Sequence, residues 1–182
     1  MISIDEGPGK VKLEKIRTLK AAFKKDGTIT AASSSSINDG AAALVLMRSS
    51  SAAKLGLKPL ARIVSHAVHA QEPNWFATAP VGAVKKALAK AGWSVKDVDL
   101  WEVNEAFAVV PMALMRELGL SHEIVNVNGG ACALGHPIGA SGARIMVTLL
   151  YALQARGLKK GVATLCIGGG EGTAVALELC SY

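Results

Sequence analysis

From residue 60 onward the chain alternates short apolar, β-branched runs with longer stretches of helical spacing, and a glycine closes each helix. That rhythm limits the fold more than any other feature. Residues 60–70 (LARIVSHAVHA) read as a strand, and Pro80 stands at a good first helical position for a helix over 81–91 that stops at Gly92. Residues 98–103 form a second strand. Asn104 is suited to cap a helix that carries Phe107, Val110, Leu114 and Leu118, is kinked at Pro111 and ends at Gly119. A strand over 124–127 and a helix over 145–155, stopped by Gly157, repeat the unit. Two strands follow, 161–167 and 173–179, joined by so short a turn that they must be antiparallel. Right-handed crossovers then give a layered αβα fold around a mostly parallel five-stranded sheet, its last strand antiparallel.

Composition agrees with this class. Apolar residues are 51% of the 182 and aromatics only 4%, so the core is built from Ala, Val, Leu and Ile, as in sheets covered on both faces. No apolar run reaches the roughly 18 residues of a membrane span, and the first ten residues lack the apolar region of a signal peptide, so a cytoplasmic protein is expected. Cys132, Cys166 and Cys180 form an odd set, which argues against a disulfide framework and leaves room for a functional thiol. The net charge of +6 gathers early, at Lys10, Lys12, Lys15, Arg17, Lys20, Lys24 and Lys25. Without stacking aromatics or a nucleic-acid motif, those positives read as a solvated face rather than a nucleic-acid surface. His66 and His69 are three apart in an extended segment and point to opposite faces, so they do not share a metal.

The first 58 residues fit the pattern less well. An amphipathic stretch over 11–23 reads as a surface helix, and 28–30 as a short strand. A serine-rich loop (AASSSSINDG, 31–40) leads to an apolar strand over 41–47 and a short helical connection over 49–57. The serine run serves either as a linker or as a ligand contact. The two strands need a sheet that the remainder does not obviously supply.

Chemistry concentrates between residues 126 and 144 (NVNGGACALGHPIGASGAR), where glycines flank a histidine at a strand-to-helix junction. Pro137 holds His136 extended, just outside the helix that follows. Ligand sites of open α/β sheets lie beyond the carboxyl ends of strands, so Asn104, His136 and Cys166 are expected to converge. Such a set serves as nucleophile, base and orienter, or as a proton-transferring thiol beside oxyanion donors. The bare backbone at Gly168, after Cys166, can turn its N–H toward a developing oxyanion. Neither glycine cluster fits a nucleotide-binding loop.

Three motifs carry a resemblance: N-E-A-F at 104–107, G-G-A-x-x-x-G-H-P-x-G-x-S-G at 129–142 and C-x-G-G-G-x-G at 166–172. In order and spacing they resemble the C-terminal half of the thiolase family, most similar to its acetoacetyl-CoA, biosynthetic type. The resemblance implies two domains: residues 1–58 as the tail end of the N-terminal half, and 59–182 as the C-terminal domain. It implies acyl transfer between acyl-CoA molecules, as Claisen condensation of acetyl-CoA or thiolysis of a 3-ketoacyl-CoA, with coenzyme A a substrate rather than a resident cofactor. His136 would activate the nucleophilic cysteine and donate to the thioester oxygen, and Asn104 would hold a water that donates to the same oxygen. Cys166 would move the α-carbon proton, and the Gly168 N–H would serve a second oxyanion hole. Ser35 aligns with a coenzyme-contacting serine, in a loop that departs from the family's G-N-A-S-G, while Phe107 and Phe76 would line the substrate pocket.

The family's nucleophilic cysteine belongs to the other half, and Cys132 occupies a packing position, so the isolated chain is expected to be inactive without that half. The full enzyme is expected to be a homodimer or homotetramer. Two other classes compete: a non-catalytic thiolase-like module that binds coenzyme A or a protein, and a papain-like cysteine hydrolase.

Overall fold

The computed structural model describes residues 3–180. Six α-helices and four strands follow in order: α1 (Glu6–Lys10), α2 (Ser49–Lys54), β1 (Ala61–Ala70), α3 (Ala79–Ala91), β2 (Leu100–Val103), α4 (Val109–Leu118), α5 (Ala131–Leu134), α6 (Ser141–Arg156), β3 (Lys160–Ile167) and β4 (Glu171–Leu179). The strands form one sheet in the order β1-β4-β3-β2. β4 is antiparallel to both β1 and β3, and β2 is parallel to β3. Three strands therefore share a direction and the last runs against them, as its short glycine turn requires. The reversed strand lies inside the sheet, so antiparallel pairings outnumber parallel ones.

Helices cover both faces. On one, α3 and α4 pack Ala83, Val84, Ala87, Val110 and Leu114 against Trp101, Val103, Val162 and Cys166. On the other, α6 packs Ile145, Leu149 and Leu153 against Leu100, Ala163 and Leu177. Close approach replaces aromatic bulk: a Cβ at Gly161 would stand 2.8 Å from Leu149, and one at Gly172 2.6 Å from the Ala79 backbone. Gly92, Gly119 and Gly157 end α3, α4 and α6 with φ of 65–68°, the left-handed cap that glycine adopts freely.

The fifth expected strand is absent. Residues 124–127 make only isolated parallel bridges, Val125 to Trp101 at the β2 edge and Val127 to Gly129. The reason is Asn126, whose backbone sits at φ 49°. Its side chain takes over the ladder, accepting from the Val103 N–H (2.8 Å) and donating to the Val103 carbonyl (2.9 Å). α4 begins four residues later than expected, at Val109, and its N-terminus has no side-chain cap, so Asn104 is not the capping residue. Pro111 consequently falls in the first turn, where no backbone N–H is needed, and forces no break.

The N-terminal expectations change most. Residues 11–23 hold a 3-10 turn (Leu13–Thr18) with no buried residue, in place of an amphipathic helix. Residues 28–30 and 41–47 are extended but join no sheet among the described residues. Val45 and Leu46 are 86% and 68% exposed, because nothing described here lies across them.

One buried charge stands between β2 and α6. Glu102 is 2% exposed, its Oε1 has no partner among the described residues, and its Oε2 lies 3.8 Å from Arg144 Nη1. Burial raises its carboxyl from 4.5 to about 7, against the pull of Arg144 and with the push of Glu105. The folded state thus keeps a proton that the unfolded chain has released, so this contribution to stability is present below pH 4.5 and lost as pH rises through 7. Chemical denaturation of Glu102→Gln and the parent between pH 4.5 and 8 should show the variant gaining relative stability with pH, by on the order of 3 kcal/mol.

Candidate active site

The parallel pairing of β2 and β3 delivers the first site residue. The Asn104 N–H donates to the Thr164 carbonyl (3.0 Å), continuing the ladder one residue past β2. Asn104 is 1% exposed, and its amide Nδ2 lies 3.3 Å from His136 Nε2. Its Oδ1 is buried with no hydrogen-bond partner among the described residues, which leaves an acceptor open. Far apart in sequence, the two side chains meet.

His136 is held from its other side as well. Nδ1 is 2.6 Å from the Ser141 hydroxyl, which in turn donates to the Pro137 carbonyl (3.1 Å). With that hydroxyl proton committed, Ser141 accepts, so Nδ1 carries the imidazole proton. Nε2 then offers its lone pair toward Asn104. Burial lowers the His136 pKa below 6.5, and the Arg144 charge lowers it further, so the ring is neutral at pH 7 and able to take a proton.

The serine-rich loop is no linker. Ser35 N–H and Oγ both donate to the Ala106 carbonyl (3.1 and 3.0 Å), Ala108 N–H donates to Ser33, and His136 N–H donates to the Ser36 carbonyl (2.8 Å). The loop thereby crosses both the 104–108 turn and the histidine. Phe107 bridges to Ser34 and meets Phe76 and Phe23 edge-on, with centroids 6.2 and 5.6 Å away.

Cys166 lies two residues beyond Thr164 on the strand beside Asn104, in the core on the α3/α4 face. Among the described residues its thiol has no hydrogen bond to Asn104 or His136. Burial raises its pKa above 9.0, so it is a protonated thiol near neutrality. Gly168 is exposed, with open space where a side chain would project. Cys132 packs against Glu105, and burial together with that carboxylate pushes its pKa up to about 12, which disables it as a nucleophile.

Three residues that sequence reasoning did not single out complete the arrangement: Ser141, Glu105 and Asn126. Ser141 and Glu105 were inside the recognised motifs, and their spacing from His136 and Asn104 was the available signal.

Residues 57–179 match the thiolase C-terminal domain, and residues 1–50 match the thiolase N-terminal domain. The chain belongs to the thiolase family. An acetyl-CoA acetyltransferase of Chromobacterium violaceum is 59% identical over 88% of this chain and 41% of its own length. The cytosolic acetyl-CoA acetyltransferase of Mus musculus is 53% identical over 97% and 45%. Among solved thiolase-fold proteins, Bacillus anthracis acetyl-CoA acetyltransferase superposes with a TM-score of 0.92 at 49% identity, over 97% of this chain and 45% of that one. Human mitochondrial 3-ketoacyl-CoA thiolase in complex with CoA gives 0.88 at 43%, with the same coverage. The chain thus spans less than half the length of these relatives.

The hydrogen-bond reading of His136 is directly measurable. At pH 7.5, imidazole nitrogen shifts should identify the Nδ1–H tautomer, and Ser141→Ala should populate the Nε2–H form. Loss of one such bond is worth about 1 kcal/mol, enough to shift the tautomer ratio roughly fivefold.

Proposed function

We propose that this chain is the C-terminal part of an acyl-CoA acyltransferase, performing Claisen condensation of acetyl-CoA or thiolysis of a 3-ketoacyl-CoA once its N-terminal counterpart is present. The observation that carries the reading is the neutral His136, oriented by Ser141 and facing the buried amide of Asn104. Family membership and the names of its relatives support it.

In this reading His136 Nε2 takes the proton of a nucleophilic thiol supplied by the other half, and the resulting imidazolium donates to the thioester oxygen. Asn104 holds a water as that oxygen's second donor. Cys166, protonated at rest, returns a proton to the α-carbon in thiolysis and removes one in condensation as the thiolate. The exposed Gly168 N–H serves the acylated intermediate, and each such donor is worth about 3 to 4 kcal/mol. Ser35, Phe107 and Phe76 flank the entry for the coenzyme and the acyl group. Coenzyme A acts as a substrate throughout.

The same proposal divides the chain into 1–58, the tail of the N-terminal half, and 59–182, the C-terminal domain. It expects the complete enzyme to be a homodimer or homotetramer, and to lie in the cytoplasm, the compartment named for the mouse relative. Among the described residues no helix is long and apolar enough to cross a membrane. A second reading, a non-catalytic module, is favoured by the exposed Ile37, Val45, Leu46 and Met47.

Acetoacetyl-CoA thiolysis separates the two. The chain alone should give no turnover, because losing one member of a cooperating catalytic set costs on the order of a millionfold. Adding a thiolase N-terminal half should restore activity that His136→Ala and Cys166→Ser abolish. Turnover by the chain alone would overturn the site assignment. Coenzyme A binding with no restored turnover would favour the module. In the restored enzyme, kcat/KM should fall on the acid side only below pH 6.5, since the folded His136 pKa lies beneath that value.

A further inference from the structure

The Asn104–His136 contact joins two loops that need a second tie, and Glu105 supplies it. Its Oε1 accepts from Asn126 Nδ2 (3.0 Å) and its Oε2 from the Cys132 backbone N–H (3.0 Å). Cys132 lies in the first turn of α5, so its N–H has no partner within that helix. α5 is capped at its C-terminus by Gly135, one residue before His136. A closed loop of contacts results: Glu105 holds the start of α5, α5 leads to His136, and His136 meets the side chain of the residue preceding Glu105.

Gly130 explains itself in these terms. Its φ of −149° is open to any residue, so backbone freedom is not what calls for glycine. Space is. A Cβ there would stand 2.2 Å from the Glu105 carboxyl carbon and 2.3 and 2.4 Å from its oxygens. Asn126 is tied into the same group: the side chain that clasps Val103 also donates to Glu105. The carboxylate therefore connects β2, the 104–108 turn and the glycine loop at one point.

We propose that Glu105 is a positioning residue of this site, setting the separation and orientation of Asn104 and His136 without touching substrate. The proposal rests on the reading of Asn104 and His136 as one site. Glutamine at 105 keeps the shape but turns an NH2 toward one of two donors, Asn126 Nδ2 or the Cys132 N–H, so one tie is lost. Alanine at 130 reaches the same end by displacing an unaltered carboxylate.

The test uses the 182-residue chain with labelled histidine, comparing the parent with Glu105→Gln, Gly130→Ala and, as a control for general destabilisation, Leu88→Ala in α3. The His136 titration midpoint should rise toward 6.5 in the first two variants, because a loosened site admits water and loses the Asn104 amide that favours the neutral ring. Removing the Glu105 charge would by itself lower the midpoint, so the sign separates positioning from direct electrostatics. Leu88→Ala should leave it unmoved. In the restored enzyme, Glu105→Gln should lower kcat roughly tenfold with KM within about twofold. An unshifted or lowered midpoint in Gly130→Ala, whose charge is intact, would overturn the proposal even if Glu105→Gln fails to fold. Should the Asn104 amide signal of the parent not respond to His136 titration, the reading of the pair as one site fails instead, independently of Glu105.

Discussion

The pairing of a four-residue strand decides whether the candidate site can assemble. β2 is held on one side by the β3 ladder and on the other by the Val125 bridge, the Asn126 N–H on the Trp101 carbonyl, and the Asn126 side chain, which gives Val103 a donor and an acceptor in place of a fifth strand. A strand so short gains little from its own propensity. Its place comes from Leu100, Trp101 and Val103, all almost fully buried, and from the neighbours on both edges. Beyond Val103 the ladder grants one more bond, Asn104 to Thr164, before the chain turns. That last bond sets Asn104 where His136 can reach it.

A sheet centred on β4 suits this task, because the strand that runs against the others is buried between β1 and β3 and fixes the spacing of both. The two cores are lined by small residues and branched aliphatics, and glycines at 161 and 172 let helices lie close to strands. Dense packing of this kind has few alternative arrangements. Loops carrying chemistry can then be displayed at one edge without the scaffold yielding.

Much of the scaffold was legible in the sequence. Glycines at 92, 119 and 157 marked helix ends because a left-handed cap is a local requirement, and the hairpin through Gly168–Gly170 followed from its length alone. The errors share a cause. Asn104 has the chemistry of a helix cap and residues 124–127 have the composition of a strand, yet each was claimed by a distant partner that no local pattern encodes: His136 for the first, the Val103 backbone clasped by the Asn126 side chain for the second. The candidate site was legible in residue type and not in contact. Asn104 and His136 could be named from their motifs, whereas the tautomer set by Ser141 depends on a hydroxyl proton committed to Pro137. The depth of Cys166 in the α3/α4 core likewise follows from strand alternation only once the sheet order is known.

The stretch over 41–47 follows the same logic from the opposite direction. Burying a valine or leucine side chain is worth about 1.5–3 kcal/mol, and here Val45 and Leu46 forgo most of it. A sequence gains nothing from an apolar run facing water, so the run is matched to a surface that the described residues do not provide. It is also not free to wander. The serine loop immediately before it is hydrogen-bonded to Ala106 and to the His136 backbone, so whatever covers 41–47 is brought within a few residues of the site. An N-terminal thiolase portion, as proposed above, would meet both needs at once. It would give the exposed run a sheet to join, and through the serine loop it would hold the proposed nucleophilic thiol in fixed register with the His136 imidazole.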